Sequence, residues 1–295
     1  MKTPRSLIIG ANGQVGAQLA RLLGDRALAT ARTGTTPAVD LIACAHDPAL
    51  AVKAIAEAGE LDAVYCVGGA TDVERCESDV AWAMDTNCNG PAAIARAARH
   101  LPFVYMSTDY VFDGEAGPYV ETDATHALSV YGRSKLEGEQ RVLEAHSCAL
   151  VLRTTGVFGP DAQRKNFLYT LERVLQSGGT MRVPTDQLSN PTYNEDLAAA
   201  TAALVAARAT GIFHTGGPEV LSRFDFAQRA AAILGLDTTN LLGVTTAELN
   251  QKATRPLRSG LRIEKLNAAL ASTSAATPMR PLDDAIRAWK RAASA

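Results

Sequence analysis

The stretch Leu7-Ile8-Ile9-Gly10-Ala11-Asn12-Gly13-Gln14-Val15-Gly16 runs an apolar strand into glycines spaced three apart and on into a helical pattern. Glycine at such a turn lets bare backbone approach a ligand. The helix that follows offers unpaired N–H groups and the positive end of its dipole to an anion. The stretch therefore predicts a strand-turn-helix unit that seats a pyrophosphate, with Gly10, Asn12, Gly13, Gln14 and Val15 as contact residues.

Outward from this unit, short apolar runs keep alternating with longer helical patterns up to about residue 153. Strands are predicted at Leu7-Ile9, Ala27-Thr30, Ala63-Val67, Phe103-Met106 and Ala149-Leu152. Helices are predicted at Val15-Leu23, Pro48-Ala58 (Asp47 as cap, Pro48 as first residue), Val80-His100 and Val130-His146. Such alternation specifies an α/β fold, a doubly wound parallel sheet with helices on both faces. After Gly156 the pattern loosens around Gly178-Gly179, Pro184, Pro191, Gly216-Gly217-Pro218 and Arg255-Pro256, which predicts a smaller domain at the open end of the sheet. The alanine-rich run Leu197-Ala209 favours helix.

Composition narrows the function classes. The chain has 295 residues and a formal charge of -2, so no basic surplus is available to neutralise a phosphate backbone, and nucleic acid is not an expected partner. The start, Met1 to Arg5, is short and polar, and the first apolar run stops at Gly10; neither a membrane segment nor a secretion signal is expected, and a cytoplasmic location is. The five cysteines are scattered, without a close pair or a neighbouring histidine, and are read as reduced and structural; no metal is expected.

Residues at the end of the second strand bear on the cofactor. An NAD site usually places an acid about 20 residues beyond the glycine turn, and an NADP site an arginine. Here the segment reads Thr30-Ala31-Arg32-Thr33, so NADPH is expected, with Arg32 on the 2'-phosphate and NADH as the alternative. Asp40 and Leu41 would flank the adenine. Gly68, Gly69 and Ala70, after the third strand, again let backbone come close to a ligand.

In Tyr131-Gly132-Arg133-Ser134-Lys135 a phenol and an ammonium lie four residues apart, hence on one face of a helix that Ser129 can cap. A neighbouring positive charge would lower the tyrosine toward working pH and make it a usable acid. Lys135 would also hold a cofactor ribose. The strand Phe103-Met106 runs into Ser107-Thr108-Asp109-Tyr110-Val111-Phe112-Asp113-Gly114, which places hydroxyls and a carboxylate at the carboxyl end of the sheet, where open α/β sheets bind ligands.

That string resembles the dTDP-4-dehydrorhamnose reductase family of the extended short-chain dehydrogenases. So do the glycine turn, Tyr131 to Lys135 followed by Leu136-Glu137-Gly138-Glu139, and Asn190-Pro191-Thr192-Tyr193. The resemblance covers nearly the whole chain. It implies a Rossmann-type domain of 1–158 and about 187–218, and a substrate-binding domain of about 159–186 and 219–295. It further implies a nucleotide-sugar 4-ketoreductase in which Thr108 helps polarise the keto oxygen, Tyr131 donates the proton and Lys135 activates it. Asp109 would lie beside the sugar, and Asp72 and Val73 would contact substrate. Asn87 would either support the active site or mark a helix kink, and Arg255 would either meet the diphosphate or brace its loop. A homodimer is expected from the family alone.

Some positions depart from the family pattern. Gly156 stands where an aromatic residue is usual, Cys66 replaces an asparagine, and Gln18 takes the place of a glutamate that binds magnesium in some relatives. Two other functions use similar chains: an NADP-binding regulatory subunit like that of methionine adenosyltransferase, and a sugar-nucleotide 4-epimerase. The complete Thr108, Tyr131 and Lys135 set weighs against the first. A dehydratase would need an acid pair directly after Thr108, and Asp109 is followed by Tyr110.

Overall fold

A computed structural model describes residues 5–32, 34–273 and 278–293; residues 1–4 of the polar start, Thr33, 274–277 and 294–295 lie outside the described residues. Five strands, β1 (Arg5–Ile9), β2 (Ala27–Thr30), β3 (Leu61–Cys66), β4 (Phe103–Thr108) and β5 (Leu150–Thr154), join a sixth, Gly211–His214, in one sheet. Every neighbouring pair in it is parallel, and the order is β2-β1-β3-β4-β5 with Gly211–His214 at the far edge. The chain leaves β1 toward β2 and returns on its other side as β3. The carboxyl ends of β1 and β3 therefore flank the topological switch point, where such sheets bind ligands.

Strands buried on both faces read as continuous apolar runs, and their alternate residues enter two cores. Leu7, Ile9, Val64, Phe103 and Val151 face one side, under helices α1 to α7 except the first: α2 (Leu41–His46) and α3 (Pro48–Ala58), then α4 (Val73–Ser78), α5 (Val80–Met84), α6 (Gly90–Ala97) and α7 (Val130–Ala145), of which α2, α3, α6 and α7 contribute to this core. Ile8, Tyr65, Val104 and Leu152 face the other, under α1 (Gln14–Leu23) and the helix Asn194–Ala206. A third core gathers Leu171, Phe226, Ile286 and Trp289 from the helices Phe167–Gln176, Arg223–Leu234 and Leu282–Ala293, with Phe158 from the short strand Val157–Phe158.

The predicted strands appear with small shifts. β4 and β5 run on past Met106 and Leu152 because Ser107 pairs with Arg153 and Thr108 with Thr154 in the ladder. The single helix predicted over Val80-His100 is instead α5, a π turn at Asp85–Asn89, and α6, which ends at Ala97. Pro91 supplies the reason: it has no N–H to return to the carbonyl of Asn87. That carbonyl accepts the Tyr105 phenol instead, at 2.5 Å. Asp47 and Ser129 cap α3 and α7 as expected, accepting from Ala49 N and Gly132 N at 3.0 and 3.1 Å. Four cysteines are buried, but Cys148 is exposed and so plays no part in packing the interior.

α7 is seated on the sheet by a buried ion pair. Arg153 of β5 and Glu139 of α7 approach to 2.7 Å with both side chains 3% exposed. The Arg153 Nε also donates to Glu139 Oε1 at 2.9 Å, and the Ser107 hydroxyl donates to the same oxygen. Removing one partner leaves a charge without its counterion in the interior, which costs about 3–5 kcal/mol. Arg153→Leu is expected to lower the midpoint of urea unfolding accordingly, and Arg153→Leu with Glu139→Leu to recover much of the loss. Equal midpoints for wild type and single variant would contradict this role.

Candidate active site

Beyond β1 the chain turns sharply. Gly10 has φ 90, and a Cβ placed on it would lie 2.4 Å from Gly68 Cα, so the backbones after β1 and β3 touch directly. Gly13 N donates to Gly10 O at 3.0 Å, and α1 starts immediately after it.

This crevice opens into a cavity of about 570 Å³. Gly10, Gly13, Gln14, Val15, Gly68 and Gly69 line one part of it; Thr108, Asp109, Tyr131, Lys135 and Val73 line another. A second cavity of about 320 Å³ adjoins it across Gly10 and Gly68, lined by Asn12, Arg32, Asp40 and Leu41. Residues from separate motifs thus converge on two cavities that share Gly10 and Gly68. Asp40 spends its carboxylate on the start of α2, accepting from Ile42 N at 2.9 Å.

Four expected contact residues do not line either cavity: Ala70, which is buried with its N–H and C=O both bonded to Asn87, and Asp72, Arg255 and Asn87. Asp72 is exposed and caps α4, accepting from Arg75 N at 3.0 Å. Arg255 turns away to Glu74 at 2.6 Å while its neighbour Pro256 meets the cavity, so within this chain the arginine braces its loop. Asn87 is fully buried behind the wall. Its Oδ1 accepts from Ala70 N at 2.8 Å; its Nδ2 donates to Ala70 O and to the Ser134 hydroxyl, both at 3.0 Å. Asn87 sits in the π turn and clamps the loop after β3 to α7.

The Lys135 ammonium, 3% exposed, donates to Met106 O at 2.9 Å and lies 5.0 Å from the Tyr105 ring centre. A Cβ on Gly69 would come within 2.8 Å of it. Burial pulls this lysine down to about 8, opposed by the negative charge of Glu139. Tyr131, edge-on to Tyr110 at 5.3 Å, is pushed above its ordinary value by burial, with the Thr108 hydroxyl bond acting the other way. The lowering expected from a neighbouring cation is therefore not the dominant effect in this geometry. Desolvation of the phenol outweighs it, and Tyr131 is held protonated.

Asp109 is pushed up to about 6 by burial, against hydrogen bonds from Ser259, Thr155 and Thr108. The Ser259 hydroxyl, 150 residues away along the chain, donates to Asp109 Oδ2. Ser107 and Tyr110 of the same string also line the cavity, whereas its end is structural: Phe112 stacks on Tyr119 at 4.2 Å, Asp113 accepts the Tyr119 phenol, and Gly114 O accepts from Arg258 N at 2.9 Å. Thr155, Gln187, Ser189, Arg223 and Ser259 also line the large cavity. Thr155 adjoins Gly156, Ser189 precedes Asn190 and Ser259 lies three residues past Pro256, whereas Gln187 and Arg223 carry no local signal.

Residues 4–280 match the family described as RmlD substrate binding domain. The chain is 35% identical over 274 residues to the dTDP-4-dehydrorhamnose reductase of Mycobacterium tuberculosis, covering 88% of this chain and 85% of that one. The chain belongs to the dTDP-4-dehydrorhamnose reductase family. Among solved members of the family, the reductase of Clostridium acetobutylicum superposes with a TM-score of 0.86 at 28% identity, over 99% of this chain and 100% of its own. The Bacillus anthracis reductase in complex with NADP gives 0.86 at 26% identity, over 98% of this chain and 99% of its own.

The burial of Lys135 is directly measurable. Titration of lysine ε-carbons by ¹³C NMR is expected to reveal one signal with a midpoint near 8 that vanishes in Lys135→Met. A Lys135 signal titrating at the ordinary value of about 10.4 would contradict the burial argued here.

Proposed function

We propose that this chain reduces the 4-keto group of a dTDP-linked 4-keto-6-deoxy sugar with NADPH. The observation that carries the proposal is the meeting of Thr108, Tyr131 and Lys135 with the glycine crevice in one cavity. The residues present suit a nicotinamide dinucleotide. Gly10 and Gly68 bare the backbone on both sides of the crevice, and the buried Gln14 Oε1 beside it has no partner among the described residues.

In this reading the first cavity takes the nicotinamide end and the sugar, and the second the adenosine. When bound, the cofactor supplies a hydride to C4 of the sugar. Thr108 donates a hydrogen bond to the keto oxygen, and Tyr131, protonated and buried, delivers its proton to that oxygen as negative charge develops there. The Lys135 ammonium, fixed by Met106 O, stabilises the phenolate left behind and holds a ribose hydroxyl. Asp109 orients a sugar hydroxyl. Ala70 and Asn87 act as the clamp described above, and Val73 covers the sugar. The chain divides into a dinucleotide-binding part (1–158, about 187–218) and a substrate-binding part (about 159–186, 219–295), a reading supported by a third core built mainly from the second part, with Phe158 and Tyr193 joining it from the first.

Preference for NADPH rests on Arg32, exposed at the adenosine cavity and without a side-chain partner among the described residues. A charge-assisted bond is worth about 1.5–3 kcal/mol. Arg32→Ala is expected to raise KM for NADPH roughly 10- to 100-fold while leaving KM for NADH nearly unchanged. An unchanged KM for NADPH would remove this support.

Loss of the Tyr131 hydroxyl removes the proton and leaves the ring packing in place. Tyr131→Phe is expected to reduce kcat for NADPH oxidation by about 10²–10⁴, with NADPH still bound as judged by fluorescence titration. Wild-type turnover in the variant would exclude Tyr131 as the acid. Binding of NADPH with no oxidation by either protein, across dTDP-4-keto-6-deoxy sugars, would exclude the reductase.

A further inference from the structure

A second kind of site lies at the opposite edge of the sheet from the active site. A cavity of about 360 Å³ opens where β4, β5 and the sixth strand begin. Pro102, Phe103, Leu150 and Val205 give it an apolar floor, and Cys148 forms part of its wall. Arg99, His100 and Arg208 are exposed in its lining. Its lining contains no acid, and its two arginines are cations.

Two features set these cations apart from ordinary surface charge. First, the Arg99 and Arg208 guanidinium groups have no hydrogen bond or ion pair among the described residues. Second, Arg208 has φ 53 in the turn that closes the helix Asn194–Ala206, where Ala209 N returns to Leu204 O at 2.9 Å. Such a position is relaxed in glycine and strained in arginine. Here the strained choice places an unpaired guanidinium beside an apolar floor. The guanidinium fork matches a carboxylate, and ligand cavities combine an apolar lining with a few directed polar groups in volumes of about 300–1,000 Å³.

We propose that this cavity binds an apolar organic anion of the medium-chain carboxylate class, with its chain on the Phe103 and Leu150 floor and its carboxylate between Arg99 and Arg208. The volume holds about a dozen non-hydrogen atoms, taking the ~30 Å³ that a water occupies in the liquid as the unit. Decanoate is of this size.

Cys148 supplies a reporter, because the other four cysteines are buried. Its alkylation by N-ethylmaleimide is followed by mass spectrometry of the intact protein, with decanoate, decanol or decyltrimethylammonium at equal submicellar concentrations. Decanoate is expected to slow alkylation about tenfold at ten times the Kd read from the concentration dependence of protection, and the neutral and cationic compounds to leave the rate unchanged. Arg99→Ala with Arg208→Gly, the second change being one that the backbone favours, is expected to abolish protection without altering NADPH binding. Protection by decanol equal to that by decanoate would reduce the site to a greasy crevice and overturn the proposal. So would no protection by millimolar decanoate, or protection that survives in the double variant. The comparison of the three compounds on wild-type protein decides the matter even if the variant fails to fold.

Discussion

The seat of α7 on the sheet depends on one buried ion pair. Glu139 and Arg153 are both removed from water, and an interior charge is tolerable only when its partner and its hydrogen bonds are in place. The carboxylate collects the Arg153 guanidinium and the Ser107 hydroxyl; the guanidinium also reaches Glu121 O at 3.5 Å, and Glu121 in turn accepts from His214 N on the sixth strand at 2.9 Å. Helix, β4, β5, the edge strand and the loop after the Ser-Thr-Asp string are thereby held in one arrangement. Tyr131 and Lys135, two turns and one turn before Glu139 on α7, inherit their positions from it.

A second constraint acts at the other side of that helix. Pro91 frees the Asn87 carbonyl for Tyr105, and the Asn87 amide then ties Ala70 to Ser134. Gly138 makes this possible, since a Cβ there would lie 2.3 Å from both the Tyr105 phenol and Asn87 O. The loop after β3 is thus fixed against α7 by neutral hydrogen bonds alone. The Lys135 ammonium remains pointed at Met106 O, and the residue lines the cavity.

Much of this was legible in the residues. Glycine spacing, apolar runs and the Tyr131/Lys135 repeat are local signals, and they point to β1 to β5, α1, α3, α7 and part of the cavity lining. What escaped lacked a local signature. The six-residue helices α2 and α4 are shorter than the windows in which a 3.6 period can be recognised, and Gly211–His214 is a four-residue strand identified only by its pairing with β5. Ser107 and Thr108 are polar by composition but belong to the ladder. Thr155, Gln187 and Ser259 come from distant segments folded together at the cavity, and the turn of Arg255 toward Glu74 depends on a neighbour 181 residues away. The sign of the Tyr131 shift also required the structure, because desolvation depends on burial that spacing does not reveal.

The proposed reaction delivers hydride to C4 of a nucleotide-linked 4-keto sugar in this cavity. The most direct measurement supplies NADPH deuterated at C4 of the nicotinamide and locates the label in the product by mass spectrometry and ²H NMR. With the transferred position labelled, the account predicts a dTDP-6-deoxyhexose carrying one deuterium at C4. A reduced sugar without deuterium from either face of the nicotinamide, or with the label at another carbon, would contradict it.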